Sequence, residues 1–131
     1  MFWIENGVER LTSLELREST EVAESAKLVA GHAKEMYVPF SLVYGDSAET
    51  LKKLEKGAFD AAFIDGSHEY DAVIKDIRGC QALGIPNLFF DDWLTPYGGI
   101  MQAIKETKLK IVFTSGNMAL CKTAVTHKYW P

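Results

Sequence analysis

Ala61-Ala62-Phe63-Ile64-Asp65-Gly66-Ser67-His68 and, further along, Asn87-Leu88-Phe89-Phe90-Asp91-Asp92 decide how this chain is read. Each is a short apolar run that ends abruptly in carboxylate. That is the pattern of a buried parallel strand with its acid at the carboxyl end. In open α/β sheets, ligands bind outside that edge. Asp65, Asp91 and Asp92 gathered there would suit a hard cation such as Mg²⁺, which takes oxygen ligands and keeps several of its waters. No glycine-rich phosphate or cofactor loop precedes these strands.

Outward from these runs, strands and helices alternate. Residues 11–16 read as a strand. From Thr20 to about Met36 the apolar positions Val22, Ala26, Val29, Ala33 and Met36 recur in steps of three and four, an amphipathic helix capped by Ser19 or Thr20. Phe40–Tyr44 is a strand closed by Gly45-Asp46-Ser47, and Ser47 opens a short helix that Gly57 ends. A helix from about Glu69 to Leu83 buries Tyr70, Val73, Ile74 and Ile77, and Gly84-Ile85-Pro86 stops it. A short helix over Ile100–Thr107 follows. Leu109–Phe113 and Met118–Lys122 flank Thr114-Ser115-Gly116-Asn117, a hairpin signal. The expectation is one α/β domain over 1–131, a mostly parallel sheet with a C-terminal antiparallel hairpin.

Composition narrows the class. The chain has 131 residues, enough for one domain with a core, and 47% are apolar, which excludes a disordered chain. A net charge of −4 without a basic cluster argues against nucleic acid as the partner. Cys80 and Cys121 lack metal or redox spacing and read as reduced core thiols of a cytoplasmic protein. The first residues lack a basic region with a long apolar stretch, and no run reaches membrane-spanning length.

Leu14-Glu15, Gly45-Asp46-Ser47, Phe63-Ile64-Asp65-Gly66-Ser67-His68-Glu69-Tyr70 and Phe90-Asp91-Asp92, in this order and spacing, resemble class I S-adenosylmethionine-dependent methyltransferases. The nearest likeness is to the metal-dependent O-methyltransferases of the catechol and macrolide-sugar type. The resemblance implies a Rossmann-like sheet, S-adenosylmethionine and Mg²⁺ as cofactors, and a small-molecule hydroxyl as methyl acceptor. It also implies cofactor contacts from Glu15, Asp46, Ser47 and Asp65. Asp65, Asp91 and Asp92 would then be the metal ligands. The departure is at the start. The family opens with a strand, a glycine-rich turn and a helix, whereas only ten residues precede Leu11 here. Asn6-Gly7 between Phe2–Glu5 and Val8–Thr12 reads as a tight hairpin arm over residues 1–10 in place of that strand. The sheet would lack its central strand. A second copy of the chain covering the seam would make a homodimer.

Each candidate also has a plainer reading. Glu15 would accept hydrogen bonds from a ribose diol, or it is a surface acid beside Glu18 and Glu21. Asp46 and Ser47 would touch the adenine edge, or they make a turn and cap a helix. Asp91 and Asp92 can share an ion only if the chain turns between them, since neighbours in a strand face opposite ways. Otherwise one of them caps a turn. His68 suits a partner of a nearby acid first and a general base second. Trp93, Tyr97 and Gly98-Gly99 read as a mobile lip over the acceptor or as an ordinary loop, and Trp3 and Trp130 as packing at sheet edges. Two further readings stay open: a non-catalytic, dimeric binding module built on the same fold, and a fragment completed by another polypeptide. A receiver domain is set aside because its acidic pair follows the first strand, and a hydrolase because no G-x-S-x-G elbow is present.

Overall fold

The computed structural model describes residues 8–96 and 98–123. The Asn6-Gly7 turn and the strand before it, Trp3, Tyr97 and Trp130 lie outside the described residues. The chain is mixed α/β and divides into two compact units, one ending at Thr50 and one starting at Leu51. No described helix is long and apolar enough to cross a membrane.

The first unit holds β1 (Leu11–Glu15), α1 (Thr20–Glu35), β2 (Phe40–Tyr44) and α2 (Ser47–Thr50). β1 and β2 pair in parallel, from Leu11 opposite Phe40 to Glu15 opposite Tyr44. A parallel pair needs a crossover, and α1 supplies it. The Ser19 hydroxyl caps α1 by accepting from Val22 N at 3.2 Å, with Glu21 favouring the positive end of the helix dipole. At the other end Tyr37 takes φ +57°. Tyr37 N donates to Lys34 O and Val38 N to Ala33 O, the paired bonds of a Schellman stop.

The second unit holds a 3₁₀ turn (Leu51–Lys53), β3 (Ala61–Ile64), α3 (Tyr70–Ala82), β4 (Asn87–Phe90), α4 (Ile100–Glu106), β5 (Lys110–Ser115) and β6 (Met118–Lys122). Its sheet runs β3-β4-β6-β5. β3 and β4 are parallel, and β6 is antiparallel to both β4 and β5. Leu88, Phe90, Ala119 and Cys121 share one face by alternation and are buried together with Val73, Ile74 and Ile77 of α3 and Ile100, Ala103 and Ile104 of α4. These side chains are the core that fixes the two strand ends of the site. On the opposite face Phe63, Phe89, Leu120 and Phe113 stand in register across all four strands, with Phe113 64% exposed.

The elements follow the periodicity of the sequence, but the sheet does not form as one. The expected mostly parallel sheet is two sheets, of two and four strands. A single sheet requires a strand bonded to both groups, and no described strand pairs with both. The antiparallel terminal hairpin is present, closed at Gly116 with φ +55°.

Candidate metal centre

Parallel pairing of β3 and β4 puts their carboxyl ends side by side, and Asp91 N donates to Ile64 O at 3.3 Å. Asp65 leaves the first strand end, and Asp91 and Asp92 leave the second. The chain turns between the two aspartates: Asp92 takes φ +52°, a left-handed conformation that a non-glycine residue adopts at a cost of about 1 kcal/mol or more. Asp92 N donates to Asp91 Oδ1 at 2.9 Å, and Thr95 N donates to Asp92 O at 3.0 Å.

His68 is positioned by its backbone. The loop after β3 is tightened by Glu69 N donating to Ser67 Oγ at 3.2 Å. The His68 carbonyl accepts from Gly99 N at 2.6 Å, which ties the start of α3 to the start of α4. Gly98 packs against the same histidine, its Cβ position 3.4 Å from His68 Cβ. The Gly98-Gly99 pair thus seats the His68–Tyr70 backbone in close contact.

The result is a cluster of Asp65, His68 and Asp92, each offering a ligand atom within 4.8 Å of the others. His68 Nε2 lies 3.6 Å from Asp92 Oδ2. Asp91 is outside this tightest set, its Oδ1 engaged by Asp92 N. It still acts on the site. Partial burial, and then the negative charges of Asp91 and Asp92, push the Asp65 carboxyl above its ordinary value, and His68 opposes them. Carboxylates held together without a cation repel. Two carboxylates and an imidazole form a donor set that a divalent cation would satisfy. The carboxylates suit Mg²⁺ or Mn²⁺, and the imidazole suits first-row transition ions.

One residue of the site went unread in the sequence. Asn117, in the β5–β6 turn, donates from Nδ2 to Asp92 Oδ1. Its Oδ1 accepts from Leu94 N at 3.1 Å, and its main-chain O accepts from Trp93 N at 3.2 Å. The turn signal placed Asn117 at a hairpin tip. Nothing in the local pattern pointed it at a residue 25 positions earlier.

The other expected residues lie in the first unit. Glu15 and Gly45 meet at the carboxyl ends of β1 and β2, where Gly45 N donates to Glu15 O at 2.9 Å. Glu15 Oε1 accepts from Ser13 Oγ at 3.3 Å. Asp46 caps α2: its Oδ1 accepts from Ala48 N at 2.9 Å, and its main-chain O accepts from Glu49 N and Thr50 N. Ser47 is the first residue of that short helix. Asp46 thus takes the capping role expected of Ser47, and Ser47 lies inside the helix it was expected to cap.

A family model described as a methyltransferase domain matches residues 3–93. The match takes in Glu15, Asp46, Asp65, His68, Asp91 and Asp92, and it ends before α4 and the terminal hairpin. No curated protein sequence matches the chain.

Proposed function

Because the chain belongs to the methyltransferase-domain family, we propose that it transfers a methyl group from S-adenosylmethionine to a hydroxyl of a small molecule, with a divalent cation, Mg²⁺ being the first candidate. The reading places the chain in the class I, Rossmann-like, metal-dependent O-methyltransferase group. The observation that carries it is the convergence of Asp65, His68 and Asp92 at the carboxyl ends of two parallel strands.

The donor set suits the cation, since two carboxylates supply the oxygen ligands and offset its charge. Asp65 and Asp92 would hold it, with His68 as a third donor. Asp91 would support Asp92 through the backbone bond at 2.9 Å. Bound there, the cation would act as a Lewis acid on the acceptor oxygen and orient it. With His68 as ligand, its Nε2 is engaged. With His68 outside the coordination sphere, the same nitrogen takes the acceptor proton as general base.

Glu15 would accept hydrogen bonds from the vicinal ribose hydroxyls of the cofactor, and its strand-end position, braced by Ser13, supports this. Asp46 and Ser47 would contribute through the loop they shape, since Oδ1 of Asp46 already caps a helix. Cys80 and Cys121 are both free and buried, which supports a cytoplasmic setting.

Calorimetric titration of S-adenosylhomocysteine into the chain, with and without Mg²⁺, tests the reading. Micromolar binding that Glu15→Ala weakens is the expected result. No binding at millimolar ligand would end the methyltransferase reading and favour the non-catalytic binding module. Sedimentation of the same sample reports whether a homodimer forms.

A further inference from the structure

We infer that Asn117, at the tip of the β5–β6 hairpin, is a positioning residue that fixes the Asp92 carboxylate for a divalent cation held with Asp65 and His68. The inference rests on the cation centre proposed above. It concerns a residue outside the stretch matched by the family, which ends at residue 93.

Asp92 sits in an unfavourable backbone conformation. Its left-handed backbone, φ +52°, is a conformation that needs surrounding contacts to hold it. A carboxylate on such a turn has no helix or strand to lock its rotamer. Asn117 provides the lock. Three successive loop residues are bonded to this one side chain and its carbonyl: Asp92 through Nδ2, Trp93 through the main-chain oxygen, and Leu94 through Oδ1. The amide orientation is chemically determined. Flipping it would set an oxygen against the Asp92 carboxylate and an N–H₂ against the Leu94 N–H, two mismatches in place of two bonds.

The two oxygens of Asp92 are thereby divided. Oδ1 takes the Asn117 donor, and Oδ2 lies 3.6 Å from His68 Nε2 in the cluster with Asp65. A metal-binding carboxylate that is hydrogen-bonded at its other oxygen is oriented before the ion arrives. Loss of such a partner typically weakens metal affinity by about 10- to 100-fold. The hairpin tip itself is exposed, so a bond that served only to hold the loop would contribute little to global stability.

The test titrates Mn²⁺ alone into the purified chain and reads free ion by electron paramagnetic resonance, with thermal unfolding measured on the same samples. Three proteins are compared: wild type, Asn117→Ala and Gly116→Ala. Gly116 has φ +55° and open space around its Cβ position, so the alanine strains the same turn without touching Asp92. The expected result is an Asn117→Ala affinity reduced about tenfold or more, with Gly116→Ala within about twofold of wild type despite a lower unfolding temperature. Wild-type affinity in Asn117→Ala would overturn the inference and leave the cation centre standing. Equal weakening in Gly116→Ala would also overturn it, by reducing Asn117 to a hairpin residue. Absence of Mn²⁺ binding to wild type at millimolar ion would overturn the cation centre itself. Should Asn117→Ala fail to fold, Asn117→Ser is judged by the same thresholds, because its hydroxyl is too short to replace the amide bridge.

Discussion

Gly99 lies against Tyr70 so closely that a Cβ on it would sit 2.2 Å from the Tyr70 Cα. Its N–H donates to the carbonyl of His68, two residues before Tyr70, at 2.6 Å. The start of α4 is thus pressed onto the start of α3 where the histidine of the candidate site is anchored. No side chain fits there, and the obstructing atoms include backbone N and Cα, which cannot rotate away. Gly99→Ala should lose about 3 kcal/mol, the upper range for forced overpacking. Urea denaturation measures the loss. Mn²⁺ affinity should fall with it, because the same shift displaces His68.

Asp65 should trade stability against ion binding. A carboxyl whose folded pKa lies above its unfolded value binds its proton more tightly when folded. Its stabilising contribution is therefore full below the ordinary value of 3.8 and is lost as pH rises through the raised one. At pH 7 the charge is a net cost to the fold. Asp65→Asn should abolish Mn²⁺ binding while slightly raising the unfolding temperature at pH 7. The gain is at most about 0.5 kcal/mol, since the exposed carboxylate is screened by water. The gain should vanish near pH 3. A variant that loses stability at pH 7 would show that desolvation and the neighbouring carboxylates do not disfavour the Asp65 charge.

Two helices end in a conformation better suited to glycine. Tyr37 after α1 and Lys108 after α4 have φ +57° and +55°, and Lys108 N donates to Lys105 O while Leu109 N donates to Ile104 O. Gly84 after α3 makes the same stop with φ +75° and bonds to Gln81 O and, through Ile85 N, to Cys80 O. Tyr37 is 94% exposed, so its side chain contributes almost no packing. Tyr37→Gly and Lys108→Gly should each stabilise by about 1 kcal/mol, and the double variant by about the sum. Thermal unfolding of the four proteins checks both sign and additivity.

The thiols should be inert in the native protein. Burial pushes Cys80 up to about 12, with the Asp76 charge adding to it, and Cys121 up to about 11. A disulfide reagent at pH 8 should label both only after denaturant is added, because the thiolate is the reactive form. The same shifts make the fold alkali-sensitive. Above the ordinary value of 9.0 the unfolded chain releases thiol protons that the native chain keeps, so stability falls as pH rises from there towards 12. Cys80→Ala should remove part of that slope.

Much of this was legible in the residues. Steps of three and four from Val22 to Ala33 mark α1, and apolar runs ending in Asp65 and Asp91 mark β3 and β4, because burial imposes the period of each element on its own residues. The acidic strand ends followed from the parallel pairing those runs imply. The division into two sheets did not, since pairing depends on which edges find each other and not on local pattern.

The sequence by itself therefore determined the elements, the strand ends and the acids they carry. The tertiary structure decided which of those acids converge. The left-handed turn at Asp92 carries its carboxylate toward His68 and Asp65, while Asp91 is engaged by the backbone of the turn. It also brought in Asn117, whose bond to Asp92 spans 25 residues. Such contacts depend on backbone dihedrals and strand register, and periodicity reports neither.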